Sequence, residues 1–299
     1  MIMIRIILIA ILALSATACR KERVLGPPKA VAVATDGRLE LKLMTFNIRY
    51  ENAEDAGARA WHQRVLGAVR MIREEAPDVI GVQEAMHGQA ADLWASLPGY
   101  EFFGSGRDDG RRSGEYAGIF FSRDRFEADE SDSGTFWLSD NPENPGSKTW
   151  GNGIPRTATW MRLVDRATQR GFYVFNTHWD HKHQGSRERS AVLLAERING
   201  RKFPDQPVVL LGDLNAREKN PGVAVLARDA RLTDTFQARH PKEPARTTLH
   251  FWRGTRAGPL KVDYIMVSEG AEILAAEIRD HDKPMVSDHF PVTARVVFP

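Results

Sequence analysis

Asp213 and Asn215 follow the apolar run Val208-Val209-Leu210-Leu211 and Gly212, so a carboxylate and a carboxamide stand where that run ends. Four apolar, partly β-branched residues in succession predict a strand buried on both faces. Gly212 allows a sharp turn, which sets both side chains on one side at the strand's carboxyl end. Such a pair can hold a divalent ion, a water or a phosphoryl oxygen. Comparable groups mark other strand ends: Asn47 after residues 39–46, Glu84 after 78–82, His178 after 172–177, and Asp288-His289 before 291–298. Asp263 falls within the run 261–267, and Arg156 is delivered into 157–164 by the Pro-, Gly- and Asn-rich stretch 141–155. Each residue alone has a plainer explanation as a turn, a surface acid or an ion-pair partner. Their repetition at the same place on successive buried strands points instead to one sheet edge, where open sheets bind ligands.

The residue types fit one reaction. Asn and carboxylates are hard oxygen donors suited to Mg²⁺, Mn²⁺ or Ca²⁺, and no Cys/His cluster offers a zinc site. Two histidines, each with an acid available, suit proton transfer near neutral pH. The planar fork of Arg156 suits a phosphate. Metal, water activator, leaving-group acid and phosphate clamp together describe hydrolysis of a phosphoester.

The elements that must position these groups follow from periodicity. Trp61, Val65, Ala68, Val69 and Ile72 recur at helical spacing and predict a helix over Trp61–Glu75, stopped by Pro77. A short helix is expected over 89–97. A second long one is expected over 186–198, with Ala191, Leu194, Ala195 and Ile198 inward. Asn220-Pro221 has the chemistry of a helix start. Further strands are expected at 117–121, just after Glu115-Tyr116, and at 271–278. Residues 104–114, with Arg107, Arg111 and Arg112, form either a solvated or a substrate-facing loop. Asp180 and His181 either contact substrate or cap the helix that follows, and capping is the expectation.

Of the 299 residues, 42% are hydrophobic and 27% charged, and 41 Lys plus Arg against 39 Asp plus Glu leave a net +2. That balance argues against a strongly basic surface coated by nucleic acid. Arg5, the apolar run 6–14 and the small residues 15–18 form a signal peptide too short to span a bilayer. The single cysteine, Cys19, sits directly after Ala16-Thr17-Ala18, as in a bacterial lipoprotein signal. Expected domains are a leader (1–18), a lipidated Cys19 with a tether (19–37) and one mature domain (38–299) at the cell envelope. Secretion is the alternative outcome.

Thr-Phe-Asn-Ile-Arg, Ile-Gly-Val-Gln-Glu, Asn-Thr-His-Trp-Asp-His, Leu-Gly-Asp-Leu-Asn-Ala, Val-Asp-Tyr-Ile and Ser-Asp-His-Phe-Pro-Val, in this order, resemble the endonuclease/exonuclease/phosphatase family from about residue 39 to 298. The resemblance implies an α/β fold of the deoxyribonuclease I type, a four-layer sandwich of two mixed sheets packed face to face with helices outside. It implies a divalent-metal-dependent phosphoesterase in which Glu84, with Asn47 nearby and support from Asp288, holds Mg²⁺, with Mn²⁺ or Ca²⁺ as alternatives. Asp213 and Asn215 would position the attacking water and a phosphate oxygen. His289, oriented by Asp263, would contact the phosphate or take the water's proton; either Asp213 or His289 is the base. His178, paired with Glu115, would serve the leaving group or the transition state, and Arg156 would contact phosphate. Nucleic acid, a phospholipid head group and an inositol or sugar phosphate remain open as substrates. The expected state is a monomer reaching the membrane through its lipid anchor, and the competing class is a lipid-anchored binding protein with a vestigial site.

Overall fold

In each sheet of the domain one pair of parallel strands lies at the centre, flanked by antiparallel neighbours. The computed structural model describes residues 37–280 and 283–299, so Cys19, the leader and the tether up to residue 36 lie outside the described residues. The described residues belong to one compact unit. In chain order the elements are β1 (Leu39–Asn47), α1 (Trp61–Glu75), β2 (Val79–Ala85), α2 (His87–Ser96), β3 (Tyr100–Phe103), β4 (Tyr116–Ser122), β5 (Phe126–Trp137) and β6 (Thr157–Asp165). They continue with β7 (Gly171–His178), α3 (Gln184–Asn199), β8 (Val208–Asp213), α4 (Pro221–Asp229), β9 (Leu232–Asp234), α5 (Thr235–Arg239), β10 (Asp263–Ser268), β11 (Glu272–Ile278) and β12 (Val292–Phe298).

One sheet runs β11-β12-β1-β2-β4-β3 and the other β5-β6-β7-β8-β10-β9. The parallel pairs are β1/β2 and β7/β8, and the connections across them carry α1 and α3. The sheets are therefore mixed, as the resemblance implied.

Strand periodicity explains the layers. Leu39, Leu41 and Leu43 of β1 point between the sheets with Val79, Ile119 and Phe121, against Phe172, Val174, Val209 and Leu211 of the second sheet. The alternate residues Met44 and Phe46 meet Trp61, Val69 and Ile72 of α1. On the far side Tyr173, Phe175, Val208 and Leu210 pack on Leu194 and Ile198 of α3 and Leu226 of α4. Both faces of each central strand are thus covered, which is why β7 and β8 are buried at every residue. The sheets approach closely at Gly81, where a methyl group would lie 2.7 Å from Asn176 Oδ1 and 2.8 Å from Leu211 Cβ.

Helix α1 has the bounds that periodicity predicts. Asn220 caps α4 through its side chain, with Pro221 in the first turn. Helix α3 begins at Gln184, two residues before its expected start, and the residue that caps it is His183, whose side chain accepts from Ser186 N. Strand β10 begins at Asp263, so that acid opens the strand rather than lying within it. Strands β3, β5 and β9, which periodicity did not pick out, are all edge strands.

Candidate active site

The stripe of side chains that faces the gap between the sheets changes from apolar to polar at one end. It runs Leu41, Leu43, Thr45, Asn47 along β1; Phe172, Val174, Asn176, His178 along β7; and Val209, Leu211, Asp213 along β8. Strands β4 and β10 run antiparallel to their central neighbours and so start at this same end, which brings Glu115 and Asp263 there. Strand β12, antiparallel to β1, does the same for Asp288 and His289, and β6, antiparallel to β7, does it for Arg156. Alternation with period two aims these groups; strand direction gathers them.

Glu84 arrives by a different device. Val82 and Ala85 both pack on the helix side of β2 although two residues separate them, and the β2/β4 register shifts between them. This bulge sets Glu84 at φ +60° and turns its carboxylate towards the site. Its Oε1 accepts from Asn47 Nδ2 at 3.0 Å and its Oε2 from Tyr50 N at 3.1 Å. The same Asn47 nitrogen donates to Asp213 Oδ2 at 3.0 Å, so it stands between two carboxylates. Asn215, at φ +46°, donates its backbone N–H to Asp213 Oδ1 at 2.8 Å and its side-chain amide to Trp179 O. Ser287 Oγ donates to Asn47 O at 2.7 Å and ties the Ser-Asp-His segment to the end of β1.

Two imidazole–carboxylate pairs bridge the sheets and converge on Asp213. His289 Nδ1 lies 2.9 Å from Asp263 Oδ2, and its Nε2 lies 3.9 Å from Asp213 Oδ2. His178 Nδ1 lies 3.6 Å from Glu115 Oε2, and its Nε2 lies 3.7 Å from Asp213 Oδ2. In each pair the histidine comes from one sheet and the acid from the other.

Their protonation differs. Burial and then the Arg156 charge push the His178 pKa well below 6.5, which leaves the ring neutral. Burial also opposes a charged His289, but Asp263, by charge and hydrogen bond, and Asp213 outweigh it and hold His289 well above 6.5. Burial and the Asp263 charge push Asp213 up to about 7. His250, which the motifs did not single out, packs its ring 3.9 Å from Phe290, and burial depresses it to about 4. It is a neutral support beside His289.

Asp288 is buried, lies 3.4 Å from Ser287 Oγ, and is raised by burial and, among charges, by Glu84. Its backbone oxygen accepts from His250 N and Phe251 N. Arg156 is 3% exposed, and its Nη2 lies 2.9 Å from His181 Nδ1. Asp180 accepts from Lys182 N and His183 N through Oδ1. The pair expected to cap α3 therefore acts one step upstream: Asp180 shapes the turn before the helix, and His181 faces Arg156. Arg107, which sequence patterning left in a polar loop, donates to Glu115 Oε2 at 2.6 Å and so touches the His178 pair. Its only signal was the arginine content of residues 104–114.

The donor set fits a hard divalent cation. Among the described residues, ligand atoms of Glu84, His178 and Asp213 lie within 4.8 Å of one another, and so do those of Asp213, Asp263 and His289. Asn47 Nδ2, itself a donor, already marks the point between Glu84 and Asp213 where positive charge is favoured. Turned about its last torsion, the same amide would present an oxygen there. Asp288 is coupled by charge to Glu84 but belongs to neither group.

A model of the Endonuclease/Exonuclease/phosphatase family matches residues 44–289. No curated protein sequence matches the chain. Among solved structures it is similar to an endonuclease/exonuclease/phosphatase of Bacteroides vulgatus, with a TM-score of 0.80 and 32% identity over 86% of this chain and 98% of that one. It is also similar to a mannosyl-6-phosphatase of Bacteroides thetaiotaomicron, with a TM-score of 0.78 and 30% identity over 86% of this chain and all (100%) of that one. The human Nocturnin catalytic domain, at 20% identity and a TM-score of 0.68 over 86% and 93% of the two chains, shares the fold.

Proposed function

Because the chain belongs to the endonuclease/exonuclease/phosphatase family, we propose that it hydrolyses phosphoester bonds with a divalent cation held by Glu84, Asp213 and Asn47. The observation that carries this reading is the convergence of two imidazole–carboxylate pairs on Asp213, next to a second carboxylate. Here Asp213 is left near neutrality between two rings of opposite protonation, which suits proton transfer.

When bound, the cation, Mg²⁺ by preference and Mn²⁺ or Ca²⁺ by the same donor chemistry, supplies Lewis-acid stabilisation of charge on the phosphoryl oxygens. The chain's own groups do the rest. His289 already carries its proton, so Asp213 is the acceptor for the proton of the attacking water, oriented by Asn215 N and Asn47 Nδ2. His289, aligned by Asp263, donates a hydrogen bond to a phosphoryl oxygen. As the water–phosphorus bond forms, the bond to the leaving oxygen breaks and that oxygen takes a proton from solvent beside the neutral His178 ring, while Asp213 releases the water's proton to solvent. Glu115 holds His178 in place.

The similar mannosyl-6-phosphatase supports a sugar phosphate within the substrate range. The test is a panel of DNA, RNA, sphingomyelin, phosphoinositides and sugar phosphates assayed with Mg²⁺ or Mn²⁺. Turnover of at least one is expected, and inert behaviour towards all of them would favour a vestigial binding protein.

The envelope location is part of the same proposal and rests on the leader and Cys19. Expressed in a bacterium fed labelled palmitate, the full chain should take up label, and Cys19→Ser should abolish it. Label retained in that variant would remove the anchor.

A further inference from the structure

Arg107 and Arg156 reach the His178 end of the site from different loops, and both keep buried donors unused. Among the described residues nine buried side-chain polar atoms lack a hydrogen-bond partner, and three of them are Arg107 Nε, Arg156 Nε and Arg156 Nη1. Asp180 Oδ2 lies 3.8 Å from Arg156 Nε and Asp108 Oδ1 lies 3.9 Å from Arg107 Nε, ion-pair separations too long for hydrogen bonds. Buried N–H groups left without an acceptor cost free energy, more so on a cation, so such a cluster calls for a missing partner. Arg107 also opposes the charge on Arg156, and both oppose protonation of His178. The missing partner is therefore an anion.

The two guanidiniums are held in place from behind. Trp137 Nε1 donates to Arg107 O at 2.6 Å, and the next residue, Leu138, donates its N–H to Arg156 O at 2.7 Å. The end of β5 and the residue after it thus hold the backbones of both arginines. Arg107 gives its Nη1 to Glu115 Oε2, which also lies 3.6 Å from His178 Nδ1. Both guanidiniums therefore lie within electrostatic reach of His178.

The geometry points to Arg107 and Arg156 as a paired receptor for the terminal phosphoryl group of a phosphomonoester, which assigns the site to monoesters rather than nucleic-acid or lipid diesters. This deepens the phosphoesterase reading and rests on it. A monoester dianion carries two charges and three non-bridging oxygens; a diester carries one charge and two such oxygens. The third oxygen of a monoester can face the two arginines and take the unused N–H groups. A diester would have to turn its second ester branch towards them and leave the donors unsatisfied. Planar guanidinium forks favour an oxygen-rich anion over a point contact.

The test compares p-nitrophenyl phosphate with bis-p-nitrophenyl phosphate, which share a leaving group, in wild type, Arg107→Gln and Arg156→Lys, with Mg²⁺ present. Wild type should favour the monoester in kcat/KM. Arg156→Lys should lose about 100-fold on the monoester and far less on the diester; Arg107→Gln also gives up its bond to Glu115, so it should lose on both esters and more on the monoester. Arg156→Lys keeps the buried charge and so guards against simple unfolding. A wild-type preference for the diester, or equal losses on both substrates, would overturn the assignment. Inorganic phosphate titrated in EDTA gives a readout independent of turnover: it should raise the melting temperature of wild type and not of the variants. If neither ester is turned over but this shift is present, the receptor stands, and the hydrolase reading is decided by the wider substrate panel. A shift that is absent from wild type, or equal in all three proteins, would remove the receptor.

Discussion

Replacing His289 with alanine should lower kcat by about a thousandfold, and Asp263→Asn should do nearly as much without touching the reacting atoms. His289 is nearly fully buried, its Nδ1 is 2.9 Å from Asp263 Oδ2, and its Nε2 faces the site 3.9 Å from Asp213. Asp263 therefore fixes which ring nitrogen points at the phosphate and keeps the ring charged. An asparagine there removes the charge that offsets burial, so the His289 pKa falls. The sign follows: if the protonated ring is the active form, the alkaline limb of the kcat/KM profile moves to lower pH in Asp263→Asn. A His289→Ala variant has no such limb. Both variants leave the apolar core between the sheets intact, so near-ultraviolet circular dichroism should remain native at 25 °C. Unaltered kcat in either, with native dichroism, would place the chemistry elsewhere.

How far the chain could be read without coordinates depended on burial. Strands covered on both faces, such as β7 and β8, announce themselves as unbroken apolar runs. Strand β5 has Glu127, Asp129 and Glu130 in its sequence and a register shift between Asp129 and Ser133. It lies at a sheet edge, where one side pairs with nothing and acids are tolerated, so its pattern carried no strand signal. The same holds for the short edges β3 and β9.

The site residues were legible for a related reason. Asp213 continues an inward apolar stripe by one more step of two, and Asn47 and His178 by two, past Thr45 and Asn176, so strand ends revealed them. Glu84 was found by position after a strand, but the bulge that aims it has no glycine to mark it. Arg107 went unassigned because loop residues have no period, and only the hydrogen bond to Glu115 ties it to the site. The Asp180–His181 pair was misplaced for the same cause, since capping is a local pattern while contact with Arg156 joins positions 25 residues apart.

Treatment with EDTA should abolish hydrolysis, and Mg²⁺ or Mn²⁺ should restore it. Several acids meet here, and the protonated His289 balances them only in part. Burial and the Asp263 charge raise Asp213 to about 7, while burial and Glu84 raise Asp288, so each carboxylate is costly to ionise beside its neighbours. The linkage sign is definite. An Asp whose folded pKa lies above its unfolded value of about 3.9 binds more protons folded, so without a cation the domain should lose stability as pH rises from about 4 to about 7. A cation between Glu84 and Asp213 reverses this, because it favours the ionised acids and binds only the folded chain. At a hundred times its dissociation constant it contributes about 2.7 kcal/mol. Melting at pH 7 should therefore shift upward with Mn²⁺ even in the absence of substrate. Glu84→Gln keeps the shape of the side chain and removes one charge, so it should raise the Mg²⁺ concentration needed for half-maximal rate by about 10- to 100-fold. Full turnover in EDTA, or a Glu84→Gln enzyme with unchanged metal demand, would mean that Glu84 and Asp213 do not share a cation.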